Sequence, residues 1–270
     1  MKRVILLGSS GSIGESTCKV ARALPDKMKI VGLGVAKSTA RVLEQAKEFG
    51  VRSIAVSDAQ AADKIKKDLP PGTQFYPGAE GLARMVEETE ADMVLVAIVG
   101  TAGLAPALAA LKTGKDLAVA SKEILVLAGS AVMGEAKKRK KQVLPVDSEH
   151  NAIFQCLQGA DEKGVRKIIL TASGGPFRRS SAEEMKKVTV AQALKHPTWS
   201  MGKKITIDSA TMFNKGFEMI EAHWLFGLPM SQVEVVVHPQ SIVHSWWSLW
   251  TGRSWPNSAS PICAYRFSMQ

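Results

Sequence analysis

Cysteine is scarce: Cys18, Cys156 and Cys263 are the three in a chain of 270 residues. Three scattered thiols cannot build a disulfide framework, and they fit a reducing compartment. Long hydrophobic runs are also missing; none approaches the ~20 apolar residues that a membrane span needs. The N-terminal MKRVILLGSSGSIG starts with basic residues, but its apolar stretch is only Val4 to Leu7. It then runs into glycines, so it reads as a strand rather than an export signal. Internal repeats and low-complexity linkers are absent. These gaps point to a soluble cytoplasmic protein with no membrane partner. The 46% hydrophobic content excludes a disordered chain, and the length suits one or two domains.

Acidic residues are outnumbered 25 to 35 by lysine and arginine, a net charge of +10. The densest basic cluster, Lys137 to Lys141, closes a helix expected after Ala128, where cations favour the dipole. The chain lacks the aromatic patterns and basic recognition helix of nucleic-acid binders, so no nucleic-acid partner is expected. The excess charge suits an anionic small substrate equally well.

Up to residue 120 the pattern alternates strand and helix. Strands are expected at Val4–Gly8, Lys29–Val35, Ser53–Val56, Asp92–Ile98 and Asp116–Ala120. Helices are expected at Ile13–Leu24, Thr39–Phe49, Asp58–Lys67 and Leu104–Lys112. Near-continuous apolar strands joined by helices mean a parallel sheet covered on both faces, an α/β fold. The character changes near Gln142. Further strands are expected at Gln142–Val146, Val165–Thr171 and Gln232–Val237, with a long helix over Ser209–Phe226 capped by Asp208. The division expected is 1–146, a Rossmann-type dinucleotide domain, and 147–245, an α/β catalytic domain.

Gly8-Ser9-Ser10-Gly11-Ser12-Ile13-Gly14 follows the first strand and opens the first helix. Glycines there permit a tight turn and close approach of a pyrophosphate, and the helix N-terminus offers N–H groups. A plain βα turn is the simpler alternative. The second strand ends Gly34-Val35-Ala36-Lys37-Ser38-Thr39, without the acid that NAD enzymes use for the ribose 2′-hydroxyl. Lys37 can pair with a 2′-phosphate, which favours NADP(H).

Asp147 and Glu149 stand two apart after a strand end, where α/β enzymes place catalytic groups. With Glu218 as a distant third carboxylate they form an all-oxygen set suited to Mg²⁺ or Mn²⁺. Asp147 could equally cap a helix at Glu149–Leu157. Ser173 lies in a glycine-rich turn, and Ser209, Asn214 and Lys215 gather around a helix start, a combination that suits a phosphate monoester. His150, His196 and His244 could orient substrate or move protons, or be structural. Trp199 is a lid residue or packed core.

These residues lie within longer motifs: LLGSSGSIG, SKE at 121–123, PVDSEHNAIFQ, LTASGGPF, HPTWSMGKKITIDSATMFNKGFEMIEA and HPQSIVHS. Together, in order over residues 1–245, they resemble the 1-deoxy-D-xylulose 5-phosphate reductoisomerase family. The resemblance implies an oxidoreductase and isomerase of the non-mevalonate isoprenoid pathway. Such an enzyme rearranges a ketose phosphate and reduces the aldehyde with NADPH, using a divalent cation, and works as a homodimer. It implies Asp147, Glu149 and Glu218 as metal ligands. Lys122 and Ser148 would contact substrate near the metal. Ser173, Ser209, Asn214 and Lys215 would form the substrate and phosphate pocket. His196 and Trp199 would belong to a closing flap, and His150 and His244 would stand near the reacting centre. Gly8, Ser9, Ser10, Gly11, Ser12, Ile13, Gly14, Lys37, Ser38, Ser121, Glu123 and Gly202 would contact the cofactor. Ser10, Ser38 and Ser121 depart from the family's usual threonine, asparagine and asparagine, each keeping a small polar side chain. Another NADP-dependent dehydrogenase of a phosphorylated substrate would need no metal.

The resemblance stops after Ser245. Residues 246–270 hold four of the six tryptophans and no acid, with neither strand alternation nor helical period. Back-translated with one base restored, they can read MVELVDGSVLAQLGIPDMRLPIQYA, which resembles the family's continuation. The segment is therefore expected to be a shifted reading frame. The second domain's sheet would then lose strands, and the family's C-terminal helical domain would be missing. The 270-residue product is expected to carry the motifs yet be poorly stable and inactive.

Overall fold

In the computed structural model, residues 1–158, 164–199 and 201–249 are described, together with the backbone of 254–257. They form two compact units, Met1–Asp147 and a second beginning at Ser148.

The first unit runs β1 (Lys2–Leu7), α1 (Ser12–Ala23), β2 (Met28–Val35), α2 (Thr39–Phe49), β3 (Ser53–Val56), α3 (Ala59–Ile65) and β4 (Gln74–Pro77). It continues α4 (Gly81–Glu88), β5 (Met93–Val96), α5 (Leu104–Lys112), β6 (Asp116–Val119), α6 (Glu123–Arg139) and β7 (Val143–Pro145). The strands make one seven-stranded parallel sheet, ordered β4-β3-β2-β1-β5-β6-β7. Leu6, Leu7, Val94, Leu95 and Val96 are fully buried, as strands covered on both faces must be. The order reverses at β1, which pairs with β2 on one side and β5 on the other. In such sheets ligands bind beyond the strand C-termini at that reversal. The loop after β1 sits there.

The second unit runs α7 (Ser148–Leu157), β8 (Val165–Ala172), two short helices α8 (Ala182–Met185) and α9 (Val190–Ala193), α10 (Lys203–Ala210) and α11 (Phe213–Phe226). Strands β9 (Val233–Val237), β10 (Ser245–Leu249) and β11 (Ser254–Asn257) follow. The sheet order is β11-β10-β8-β9, with β9 parallel to β8 and β10 antiparallel to it. Ile153, Ile168, Leu170, Ala222 and Trp247 bury together, so α7 and α11 pack on this sheet.

Three expectations are corrected. The long helix over Ser209–Phe226 is two helices, broken at Thr211 and at Met212, whose φ of 62° is left-handed. Asp208 accordingly lies inside α10 and is no cap; it pairs with Lys204 one turn back. Periodicity does not register such a break, because both halves keep an apolar face. The helix ending in the basic cluster starts at Glu123, well before Ala128, and kinks at Ala128. The start of the tail also does not lack a strand. Residues 245–249 pair with β8, Trp247 is buried and Trp246 and Ser248 are less so. Aromatic residues suit a half-buried pleat, so the segment takes strand form whatever its origin. The rest of the tail, 250–253 and 258–270, lies outside the described residues. Strand β4 and helix α4 went unassigned in the sequence, since QFYP is short and ends in proline.

Candidate active site

The loop from Gly8 to Gly14 is shaped by its glycines. Gly8 has φ of 87°, and a Cβ on it would overlap the Ala97 carbonyl of the strand alongside. A Cβ on Gly14 would overlap the carbonyl oxygens of Gly8 and Ser9. The amides of Gly8 and Ser9 are spent on the Gly34 carbonyl at 2.8 and 3.2 Å, and that of Gly11 on the Gly8 carbonyl at 3.1 Å. The amides of Ser10, Ser12 and Ile13 meet no acceptor among the described residues. They are the orphan donors of a helix start, which suit an anion. Gly14→Ala is expected to abolish dinucleotide binding, because the clash is with backbone and cannot be relieved by a rotamer; fluorescence titration with NADPH measures it.

Lys37 and Ser38 follow β2. The Lys37 side chain is 78% exposed, with its ammonium 3.5 Å from Asp58, the N-cap of α3. An exposed pair of this kind is weak, so the ammonium is available to a stronger anion. Ser121 donates to the Ile98 carbonyl, and Glu123 opens α6. Lys122 is buried and pairs with Asp147 at 2.5 Å. Gly202 is the N-cap of α10.

The second unit gathers most of the remaining residues. Glu149, in the first turn of α7, and Glu218, on α11, flank one ammonium. Lys215 Nζ donates to Glu149 Oε1 and Glu218 Oε2, both at 2.6 Å. Burial alone would push Lys215 down, but the two carboxylates outweigh it and hold the ammonium above the ordinary lysine range. Asn214 donates to the other Glu218 oxygen at 3.1 Å, and Ser148 to Glu149 at 2.5 Å. The break at Met212 makes this cluster possible. It starts α11 afresh, placing Asn214 and Lys215 in its first turn and Glu218 one turn on. Ser209 lies in the last turn of α10, and its hydroxyl donates to the Thr206 carbonyl at 2.9 Å. Its carbonyl packs so closely on Gly175 that only glycine, at φ of 68°, fits there. That contact brings the turn after β8, with Ser173, to the end of α10.

Ser173 meets His196 Nε2 at 3.0 Å. His196 Nδ1 accepts from the amides of Thr198 and Trp199, at 3.2 and 2.9 Å. Two donors on Nδ1 leave the proton on Nε2, which therefore donates to Ser173. Burial lowers the His196 pKa. The neutral ring thus contributes stability above the ordinary histidine value, lost as pH falls through the depressed one. Nitrogen NMR of the ring is expected to show the Nε2–H tautomer persisting to lower pH than in an exposed histidine. Trp199 packs edge-on against His244 at 6.1 Å, and the His244 carbonyl accepts from Thr171.

Sequence reasoning missed Glu221. It is fully buried on α11, 3.4 Å from His150 Nδ1, while His150 Nε2 donates to the Glu218 carbonyl at 2.8 Å. The pair ties α7 to α11 directly beneath Glu149 and Glu218. Glu-x-x-Glu at 218–221, which continues the polar spacing of Asn214 and Lys215 along one helix face, was the available signal.

Two family models match the chain: 1-deoxy-D-xylulose 5-phosphate reductoisomerase over residues 4–129, and the C-terminal domain of the same enzyme over 143–226. The reductoisomerase of Caldanaerobacter subterraneus subsp. tengcongensis is 52% identical over 245 residues, 91% of this chain and 64% of that protein. That of Pelodictyon phaeoclathratiforme is 53% identical over 246 residues, with the same shares. The chain thus spans about 64% of the length of these curated relatives. A crystal structure of DOX-P reductoisomerase in complex with NADPH, fosmidomycin and magnesium matches with a TM-score of 0.90 at 40% identity, over 99% of this chain and 70% of that one. The enzyme from Zymomonas mobilis in complex with NADPH matches with a TM-score of 0.90 at 38% identity, over 98% and 69%. On sequence and fold together, the chain belongs to the 1-deoxy-D-xylulose 5-phosphate reductoisomerase family.

Proposed function

We propose that this chain carries the cofactor and catalytic machinery for converting 1-deoxy-D-xylulose 5-phosphate to 2-C-methyl-D-erythritol 4-phosphate with NADPH and Mg²⁺ or Mn²⁺. The observation that carries the reading is the shared cation: Glu149 and Glu218, from separate helices, converge on one buried ammonium. Two carboxylates that already hold a cation, with Asp147 two residues before Glu149, are a hard-oxygen set that fits a divalent ion. Asp147, Glu149 and Glu218 would hold it. The free loop amides after β1 and the acid-free end of β2 fit NADPH. When bound, the cation polarises substrate oxygens and the nicotinamide supplies hydride.

The chain's own residues supply the rest. The α11 N-terminus, Ser173, Ser209, Asn214 and Lys215 bind the phosphate, with Lys215 exchanging a carboxylate partner for it. His196 orients Ser173. Trp199 and the 196–199 segment cover the substrate and exclude water while the aldehyde exists. Lys122 and Ser148 orient the substrate hydroxyls.

Turnover is measured in a chain completed with a relative's continuation after Ser245. NADPH consumption is expected to require the ketose phosphate and a divalent cation, and to stop with a chelator; chelator-insensitive turnover would favour a metal-free dehydrogenase. Lys37→Ala is expected to weaken NADPH by about 1–3 kcal/mol and leave NADH nearly unchanged. Equal losses on both would show that Lys37 does not read the 2′-phosphate.

The same reading assigns 1–146 to the cofactor domain, 147–245 to an incomplete catalytic domain whose family homodimer contact is lost with the displaced strands, and 246–270 to a shifted frame. An independent read of the coding DNA with an unbroken frame through codon 246 would refute the last. Among the described residues no helix is long and apolar enough to cross a membrane.

A further inference from the structure

The phosphate loop rests on a buried polar group that neither glycines nor helix dipole account for. Gln45, on α2, is fully buried beneath it. Its Nε2 donates to the Ser9 carbonyl at 3.0 Å and to Glu15 Oε1 at 3.1 Å. Both neighbours are acceptors, so the amide nitrogen must face them. Its Oε1 is buried with no partner among the described residues. A buried amide satisfied on one side only is a poor choice for stability, since an apolar side chain of that size would avoid the cost. Its contacts define the loop instead. The peptide bonds among the described residues are trans, so holding the Ser9 carbonyl toward α2 turns the Ser10 amide the opposite way. Ser10 is one of the residues whose amide meets no acceptor.

Glu15 poses a second problem. Its carboxylate stands in the first turn of α1, beside the amides that would meet an anion, and by itself would repel a pyrophosphate. Arg41, one turn before Gln45 on α2, covers it with two parallel bonds of 2.6 and 2.7 Å. That fork holds the Glu15 carboxyl below its usual range, so the acid stays charged and paired; the third guanidinium nitrogen of Arg41 donates to Glu44 at 2.7 Å. Arg41 itself is partly exposed.

We infer that Gln45 and Arg41 are cofactor-positioning residues: Gln45 fixes the direction of the loop amides and Arg41 offsets the charge of Glu15, together presetting the loop for a dinucleotide pyrophosphate. This rests on the NADPH reading above. The support belongs to the pyrophosphate alone, so adenosine 2′-phosphate, which lacks one, is the discriminating probe.

The test uses the chain and four variants, each titrated with NADPH and with adenosine 2′-phosphate and followed by thermal melting. Wild type that binds neither probe refutes the NADPH reading itself. With wild type binding both, Gln45→Leu is expected to bind NADPH about 10- to 100-fold more weakly, with adenosine 2′-phosphate unchanged and a cooperative melt retained. NADPH affinity like wild type, or equal losses on both probes, overturns the role of Gln45. Should Gln45→Leu fail to fold, the exposed site decides. Arg41→Met is expected to weaken NADPH about tenfold, Glu15→Gln to leave it at or above wild type, and Glu15→Gln/Arg41→Met to recover it. A double variant no better than Arg41→Met overturns the proposal.

Discussion

Lys215→Met is expected to destabilise the second unit by about 3–5 kcal/mol, the cost of leaving buried charge without its partner. Methionine matches the volume, so the loss is electrostatic and not a cavity. Glu149 and Glu218, each now 2.6 Å from one ammonium, would lose the cation they share. Added Mg²⁺ or Mn²⁺ is expected to restore much of the lost melting temperature, because any cation bound to the native carboxylates stabilises by mass action. The comparison that matters is the gain per unit of metal. It should be larger in Lys215→Met than in the parent, where the ammonium competes for the same oxygens. Equal gains would mean that the ammonium and the ion occupy separate places.

Glu218→Gln is expected to lower turnover by at least about 10³-fold in the completed chain, equivalent to several kcal/mol of transition-state stabilisation. NADPH affinity should hold, because Glu218 belongs to the second unit and the phosphate loop to the first. The substitution keeps shape and the Asn214 contact while removing the charge. Asp147→Asn should behave similarly in turnover. It carries an added effect, since the pairing of buried Lys122 with Asp147 would be weakened. Normal turnover of Glu218→Gln at low Mg²⁺ would remove Glu218 from the ligand set.

Much of this protein is legible in its residue order. Strand and helix alternation over the first 120 residues, each strand apolar throughout, determined a covered parallel sheet, because no other arrangement buries both faces of such strands. Helices Thr39–Phe49 and Leu104–Lys112 and strand Ser53–Val56 fall where the pattern places them. Gly8 and Gly14 announced a close backbone turn, since a Cβ at either has no room. The long motifs from Pro145 to Ser245 located the polar residues of the second unit and their family.

Tertiary structure alone decided what those residues do to one another. Nothing in the order of Lys215 and Glu218 says that an acid 66 residues before Lys215 completes the cation's shell. The left-handed Met212 that divides the expected long helix breaks no local rule of composition, yet without it Asn214 and Lys215 would not open a helix. Gln45 and Glu221 read as an ordinary surface amide and a helix acid until packing buries them against Ser9 and His150. Strand β10 formed from a tryptophan-rich stretch in which no alternation was apparent, because β8 offered an unpaired edge and Trp247 a place to bury. Periodicity reports which face a residue takes; long-range pairing and desolvation, which set charge and hydrogen-bond partners, exist only once the chain has folded.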